Sequence, residues 1–466
     1  MTILATIFII WLIVALALIP YNSKWGVTLF LAYIFLVPVL WIQIGPISIS
    51  DRVIYLILAI LLLSKNFHRL AEIDYMRFAP IAFLILAQGM LIPLQEEVPT
   101  GYALSAFFSD LLSQLVFPLM IFLLVLLEDD AWWIFKRTIL ICGAVFVGYG
   151  LYLTTMPGVN PYLMITLPIF GQEFNEAYAL GYSGVATSYS SYVADGRLFG
   201  RISSVFTHPM AYTLNLGFYS LFISYLFRKK IAWLCTFIII IVIAIFTSGV
   251  RTSFAALGLT IVLSLIYLRN FKYAFWIGTG SVLLLTSIFY LFPNMQEYVL
   301  SIIDSTGGSI KGSSAEMRLD QFDGCFNIIK DCALTGKGYN WTSLYVADHG
   351  PHPIMLCFES LAFMVLCNSG IIGALIWIIF VCWMIYDIHG FANRNARALL
   401  FALFLFFLIF ALATGNYGYM RYFAIYYAIA LGFCYHTDEE GEEDEEGVDY
   451  EEFEEENPAN NIELRQ

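Results

Sequence analysis

The heptapeptide Thr247-Ser248-Gly249-Val250-Arg251-Thr252-Ser253 joins two long apolar runs with almost no loop, and it carries a single arginine with no carboxylate nearby in sequence. Desolvating a guanidinium is costly, so an arginine kept at a membrane boundary calls for a bound anion, and phosphate is the anion whose geometry its forked donors match. Two further arginines stand in comparable settings. Arg201 lies in Gly200-Arg201-Ile202-Ser203-Ser204-Val205-Phe206-Thr207-His208-Pro209, at the start of another apolar run, and Arg318 opens the amphipathic stretch Met317-Arg318-Leu319-Asp320-Gln321-Phe322. Each alone could be a snorkelling or salt-bridged residue. Converging on one cavity, the three would make an electropositive site able to hold a pyrophosphate. Arg197, Arg421 and His208 are further candidates.

Transfer to a hydroxyl also needs a base. Glu359 is the first choice, as a lone carboxylate inside Met355-Leu356-Cys357-Phe358-Glu359-Ser360-Leu361-Ala362. His352 and His349, in Asp348-His349-Gly350-Pro351-His352-Pro353, come next, with Asp320 and Asp323 behind them. No glycine loop of the nucleotide-binding type, no metal-ligand cluster and no acidic pair flanking a DxD-like motif appears outside the tail. A metal-dependent nucleotide-sugar reaction is therefore unsupported, and neither metal nor cofactor is expected.

The elements that must position these residues are membrane helices. The chain of 466 residues is 60% apolar with a mean hydropathy of +0.77, beyond the range of a soluble domain. Its net charge of -13 is misleading. Fifteen of the 36 acids and one of the 23 bases lie from Asp438 onward, leaving 21 acids and 22 bases in the other 437 residues. A charge block of that kind cannot bury a core and is expected to be disordered. The composition predicts an all-α polytopic membrane protein of about 12–13 spans, near residues 3–19, 25–44, 52–64, 77–94, 111–127, 132–153, 207–227, 231–247, 252–268, 273–292, 354–386, 398–414 and 419–436. The first run looks like a retained membrane helix, since no small-residue cleavage pattern follows it.

Three regions follow: N-terminal helices over 1–153, a membrane domain over 154–436, and an acidic tail over 437–466. Alternating spans put Lys65, Arg69, Arg77, Lys136, Arg137, Arg228-Lys229-Lys230, Arg269, Lys272, Arg394 and Arg397 on one side, which the positive-inside rule makes cytoplasmic, with the tail. Two long connections, about 154–206 and 293–353, fall outside, and long connections are candidates for function. The second contains a helical pattern with Phe322, Phe326, Ile329 and Ala333 on one stripe. The eight cysteines show no paired spacing, and Cys325 and Cys332, two helical turns apart, are too distant to bridge. Those in apolar runs behave as small hydrophobes.

Four stretches together resemble the O-antigen ligase and O-antigen polymerase superfamily of bacterial envelope glycosyltransferases, over roughly residues 195 to 380. Gly200-Arg201 through Phe206-Thr207-His208-Pro209 is similar to the family's arginine, aromatic and Asn-Pro helix start, with His208 in place of Asn. Thr247-Ser248-Gly249-Val250-Arg251 resembles its TxSR hairpin. Met317-Arg318 through Leu334-Thr335-Gly336-Lys337-Gly338 is similar to its outer-loop PLTGxG pattern, and Asn368-Ser369-Gly370-Ile371-Ile372-Gly373 to its GllG helix. Where ligases carry His-Asn eleven residues before the first glycine of that helix, this chain has Glu359-Ser360, which is more polymerase-like.

The resemblance implies a metal-independent, inverting glycosyltransferase of lipopolysaccharide or capsule biosynthesis, at the outer face of the bacterial cytoplasmic membrane. Its donor would be a polyprenyl-diphosphate-linked oligosaccharide (undecaprenyl diphosphate in bacteria) and its acceptor a sugar hydroxyl on a glycan or glycolipid. Arg201, Arg251 and Arg318 would hold the diphosphate and Glu359, or else His352 or His349, would take the proton. Polymerisation of repeat units is the leading expectation, with ligation to a lipid acceptor as the alternative. Tyr339, Trp341 and Tyr345 would offer sugar-stacking faces. Expected partners are membrane lipids and a chain-length regulator or other envelope-assembly proteins, with no nucleic acid. A glycolipid transporter or flippase would instead place charges and helix breaks at mid-membrane in paired halves, and a scaffold would tolerate loss of the arginines.

Overall fold

The computed structural model describes residues 3–37, 40, 42–44, 47–72, 75–128, 130–156, 160–166, 202–269, 271–272, 275, 279, 315–415 and 418–446. Arg197, Arg201, most of the 273–292 run and the greater part of both long connections lie outside them. The described residues are nearly all helical, as the apolar composition requires, because a backbone in lipid must satisfy its own hydrogen bonds.

The N-terminal helices are α1 (Ile3–Leu18), α2 (Ser23–Leu36), α3 (Asp51–Asn66), α4 (Ala79–Gly89), α5 (Thr100–Asp110), α6 (Phe117–Leu127), α7 (Ala131–Leu153) and the short α8 (Pro161–Thr166). Then come α9 (Pro209–Leu226), α10 (Ile231–Thr247), α11 (Arg251–Tyr267), α12 (Ala315–Ile329), α13 (Trp341–His349), α14 (Leu361–His389), α15 (Arg394–Thr414) and α16 (Tyr419–Glu446). Among the described residues, six stretches are long and apolar enough to cross a membrane: Asp51–Ala71, Tyr75–Leu94, Thr100–Leu127, Ala131–Leu153, Leu361–His389 and Arg394–Thr414. Shorter apolar helices, including those at Ser23–Leu36 and Ile231–Thr247, accompany them.

Several boundaries differ from the sequence expectation. The second apolar run is helical only to Leu36. A two-stranded antiparallel hairpin follows, β1 (Ile42–Ile44) against β2 (Ile47–Ile49), with Ile44 paired to Ile47. The Gly45-Pro46 pair between these isoleucine-rich strands is a turn signal that the overall hydrophobicity hid. The span expected to start at 111 begins at Thr100, since α5 runs through a π-helical turn at Leu111–Val116 directly into α6. Asp110, expected in a connection, is therefore inside a helix. The run from 354 is helical only from Leu361. Helix α16 continues through Glu446, past the point where the acidic composition predicts order to end. On α12, Phe322 and Phe326 are 48% and 46% exposed while Ile329 is 1% exposed, so they do not share a stripe. The inward face is Arg318, Gln321, Cys325 and Ile329.

The hub of the bundle is α16. Phe423 through Leu431 are all 0% exposed, as befits a helix apolar around its whole circumference. Phe423 stacks on Phe407 of α15 at 5.0 Å, and Tyr426 meets Phe218 of α9 at 5.1 Å.

The bundle has two chemically distinct ends. At one, Arg77 pairs with Asp387 at 2.8 Å, Arg69 donates to Leu127 O, Lys136 sits 3.3 Å over the Trp133 ring, and Arg394 donates to Leu268 O. The basic residues grouped from sequence are thus grouped in space. The other end gathers the starts of α3, α9, α11, α14 and α16 with the finish of α15.

One element at that second end is not a regular helix. Helix α14 is broken at Gly370, whose φ of 61° and ψ of -156° are non-helical. The break strands peptide groups of both halves, and the segment 333–338 satisfies them. Lys337 N and Gly338 N donate to Cys367 O and Asn368 O at 2.8 and 3.0 Å; Ile371 N and Ile372 N donate to Ala333 O and Leu334 O at 2.9 and 3.1 Å. A Cβ on Gly370 would lie 2.5 Å from Leu334 O, and one on Gly336 (φ +69°) would lie 2.5 Å from Ser369 N. The two family-like motifs are therefore one interlocked backbone unit. Gly370→Ala is expected to destabilise by roughly 3 kcal/mol or more, through the left-handed φ and the clash together. Gly148→Ala, with nothing within 4 Å of the new methyl, should not. Yield of monodisperse detergent-solubilised protein and its unfolding temperature check the pair.

Candidate functional site

Glu359 is positioned by a tight loop. His352 and Leu356 form an isolated antiparallel bridge, with N to O distances of 2.8 and 2.9 Å. The loop then passes through two left-handed non-glycine residues, Leu356 (φ 51°) and Phe358 (φ 56°). Such conformations cost about 1–3 kcal/mol each and persist only where the surroundings impose them. Here Phe358 is 0% exposed against Cys325, Ile329, Met355, Phe363 and Cys367. Ser360 begins α14 and ties it to α15 by donating from Oγ to Leu412 O at 2.7 Å. Glu359 between them keeps a half-exposed side chain.

Arg318 comes to this point from α12. Its Nη1 donates to Gln321 Oε1 and to the Glu359 carbonyl, both at 2.8 Å, and its Nη2 donates to Ala413 O at 3.1 Å. Nη2 also lies 3.9 Å from Glu359 Oε2. Ala413 is at the C-terminal end of α15, where unpaired carbonyls favour a cation. Gln321, fully buried, reaches Ile354 O at 3.4 Å and closes the loop onto α12. Two residues chosen from sequence alone, 41 positions apart, therefore meet.

The other arginines are placed by backbone. Arg251 is the first residue of α11; its side chain lies outside the described residues. Helix α11 runs antiparallel to α15, since Arg394 bonds Leu268 O and Tyr267 stacks on Phe401 at 4.1 Å at their far ends. The start of α11 is thus at the same end as Ala413 and Arg318. Ile202 N donates to Ser248 O at 3.1 Å, so the segment just after Arg201 lies against the turn just before Arg251. Arg421, at the start of α16, donates to Tyr422 OH at 3.2 Å, and its Nε has no hydrogen-bond partner among the described residues. The Asp51 carboxylate at the start of α3 is near enough to act on its charge.

The histidines make local contacts. His208 caps α9, its Nδ1 accepting from Met210 N at 3.1 Å. His352 Nδ1 accepts from Ile354 N and Met355 N at 3.2 and 3.1 Å, so it fastens the loop next to Glu359. His349 ends α13 and is stacked on Tyr345 at 4.8 Å. Tyr339 is only 7% exposed and donates to Asp110 Oδ2 at 2.8 Å. Burial and that carboxylate push its phenol well above the usual value, and it offers no free face for a sugar. Trp341 and Tyr345 pack on each other at 5.1 Å.

Several residues the sequence did not single out also shape this end. Gln95 Nε2 donates to Thr335 O and Asn368 O at 2.7 and 3.0 Å, and its Oε1 accepts from Tyr339 N at 2.8 Å. Its partners are about 240 positions away or more, so no local signal marks it. Lys337 pairs with Glu97, and the Glu97 carboxylate holds its ammonium above the usual range. Cys325 Sγ lies 3.5 Å from Cys367 Sγ, both fully buried. A cleft of about 420 Å³ opens beside Arg318, lined by Met317, Asp320, Asp323, Asn327, Ile354 and Leu356 among others. No cluster of metal-ligating side chains occurs among the described residues.

A nearly all-helical, multi-pass membrane protein with an arginine, a carboxylate and several helix ends gathered at one end is the class that fold and site define. Residues 235–378 match the family model described as O-antigen ligase. That match supports the O-antigen ligase superfamily resemblance, and it takes in Arg251, Arg318, His349, His352 and Glu359. No curated protein matches the chain.

The His352 arrangement gives a pH dependence. Nδ1 can accept two N–H groups only while the imidazole is neutral, and burial lowers its pKa below the ordinary value of 6.5. The unfolded chain therefore takes up the proton first as pH falls. The contribution is complete above about pH 6.5 and disappears as pH drops through the lower folded value. On acidification from about pH 7.5 to about pH 5, the unfolding temperature should fall more for the wild type than for His352→Asn, which keeps an acceptor but does not titrate. Thermal unfolding across that range measures it.

Proposed function

We propose that this protein is an O-antigen polymerase-type glycosyltransferase, acting at the outer face of the cytoplasmic membrane. It transfers a glycan from a polyprenyl diphosphate to a sugar hydroxyl. The contact of Arg318 with Glu359, inside the segment matched by the family model, is the observation that carries the reading. Glu359 is the general base for the acceptor hydroxyl. The diphosphate is held by Arg251 and Arg201, whose segments adjoin, with Arg421 contributing from α16. Arg318 holds Glu359 in place and adds positive charge to the same end. Diphosphate is a good leaving group, so preorganised cations suffice to stabilise the charge that develops on it, and no general acid is required. Attack opposite the departing diphosphate inverts the anomeric centre.

The basic end of the bundle, carrying Arg69, Arg77, Lys136, Arg228 and Arg394, is cytoplasmic by the positive-inside rule. The Glu359 end and the donor lipid are then extracytoplasmic, and the C-terminus is cytoplasmic. The match to the O-antigen ligase family favours a second reading, ligation of finished polymer to a lipid acceptor.

Glu359→Gln is expected to lower product formation about 10²–10⁴-fold and Arg251→Ala about 10²–10³-fold. Arg318→Lys should recover less than full activity, because an ammonium cannot bond Gln321, Glu359 and Ala413 together. Polymer length in cells expressing each variant is scored on gels. Surface glycan capped at one repeat in the inactive variants identifies a polymerase, and free long polymer not joined to its lipid acceptor identifies a ligase. Normal long chains in every variant would sink the enzyme reading. A reporter fused after Lys230 that proved active outside the cell would overturn the orientation.

A further inference from the structure

Cys325 on α12 and Cys367 on α14 hold their Sγ atoms 3.5 Å apart, with both side chains 0% exposed. They sit in the small apolar cluster of Ile329, Met355, Phe358 and Phe363 that supports the Glu359 loop from beneath. Both are thiols here. The bonded separation is about 2.05 Å, and the two helices that carry these sulfurs are already packed together.

We infer that Cys325 and Cys367 form a structural disulfide in the mature protein. The inference rests on the proposed extracytoplasmic placement of this end, because thiols on that side of the membrane meet an oxidising environment and cytoplasmic thiols do not. The oxidant is an external disulfide of the extracytoplasmic space. One cysteine thiolate attacks it to give a mixed disulfide and releases the first donor thiolate. The second cysteine thiolate then displaces the remaining donor sulfur. Two protons and two electrons leave the pair, and the donor departs as a dithiol. Since both sulfurs are buried in the folded protein, exchange takes place as α12 seats on α14 during folding.

The bond has a functional position. Arg318 and Cys325 are two helical turns apart on the inward face of α12, and Cys367 is eight residues beyond Glu359. A covalent tie between those helices keeps the arginine against the carboxylate and the loop between them closed. The pair has no sequence signature, because its members are 42 residues apart and one lies in an apolar run.

The test is thiol trapping of the full-length wild-type protein. Cells are quenched in trichloroacetic acid and dissolved in SDS with excess N-ethylmaleimide, so that buried thiols are alkylated as well, and the purified protein is digested without reductant and analysed by mass spectrometry. The expected result is a linked Cys325–Cys367 peptide, with Cys332 alkylated as the internal sign that trapping worked. Reductant should also lower the unfolding temperature of the wild type and leave Cys325→Ala/Cys367→Ala unchanged. In parallel, Asp348→Cys, at an exposed position on α13, is probed in intact cells with a membrane-impermeant maleimide and compared with the parent. Two alkylated thiols together with added label at position 348 overturn the disulfide and leave the orientation standing. Two alkylated thiols without that added label remove the orientation and the disulfide with it.

Discussion

The break in α14 at Gly370 is the constraint on which the rest of this end depends. An interrupted helix in apolar surroundings leaves peptide groups that must find partners; segment 333–338 supplies four backbone hydrogen bonds there, and Gln95 Nε2 adds another to Asn368 O. Once that segment is docked, its neighbours have little freedom. Lys337 meets Glu97, Tyr339 reaches Asp110, and Gln95 bridges both strands of the join. Asn368 Oδ1 receives Thr342 N at 2.9 Å and so starts α13. The chain between the join and the start of α14 is thereby fastened at both ends, and Glu359 is carried on it. Gly336 and Gly370 of the two motifs serve this packing, each meeting the backbone of the facing segment.

Charge is distributed along the bundle axis in keeping with this arrangement. At the basic end, cations are spent on carbonyls, aromatic faces and the Arg77–Asp387 pair. At the other end, helix starts and finishes interleave, so carbonyl ends such as Ala413 and amide ends such as the start of α11 share a small volume. Arg318 is stabilised by the former. An anion would be stabilised by the latter and by the arginines nearby. The opposing preferences of neighbouring helix termini make this end suited to hold a charged group of either sign in defined places.

Much of this was legible in the sequence. Apolar runs fixed most helices to within a few residues, and the basic clusters sorted the two ends correctly in space. Arg318 and Glu359 stood out because a charge beside an apolar run must have a partner. What was hidden depended on distant pairings. Gln95, Asp110 and the Cys325–Cys367 contact acquire meaning only through residues tens to hundreds of positions away. The pairing of β1 with β2 was hidden by isoleucines that suit strand and membrane helix alike. Tyr339 looked like a sugar platform because nothing local reveals the carboxylate that buries its hydroxyl. For His352 the sequence showed a loop position but no sign that its Nδ1 would accept two backbone amides.

The cap on α9 carries a consequence for how such motifs should be searched. His208 stands where the resemblance would put asparagine, and its Nδ1 receives the amide of Met210. In both residue types the accepting atom is two bonds from Cβ, so the backbone would see the same acceptor in the same place. The cap therefore calls for an acceptor atom and not for one residue type. A pattern written as a letter excludes chains like this one, whereas a pattern written as a lone pair at that distance ahead of a proline would retain them.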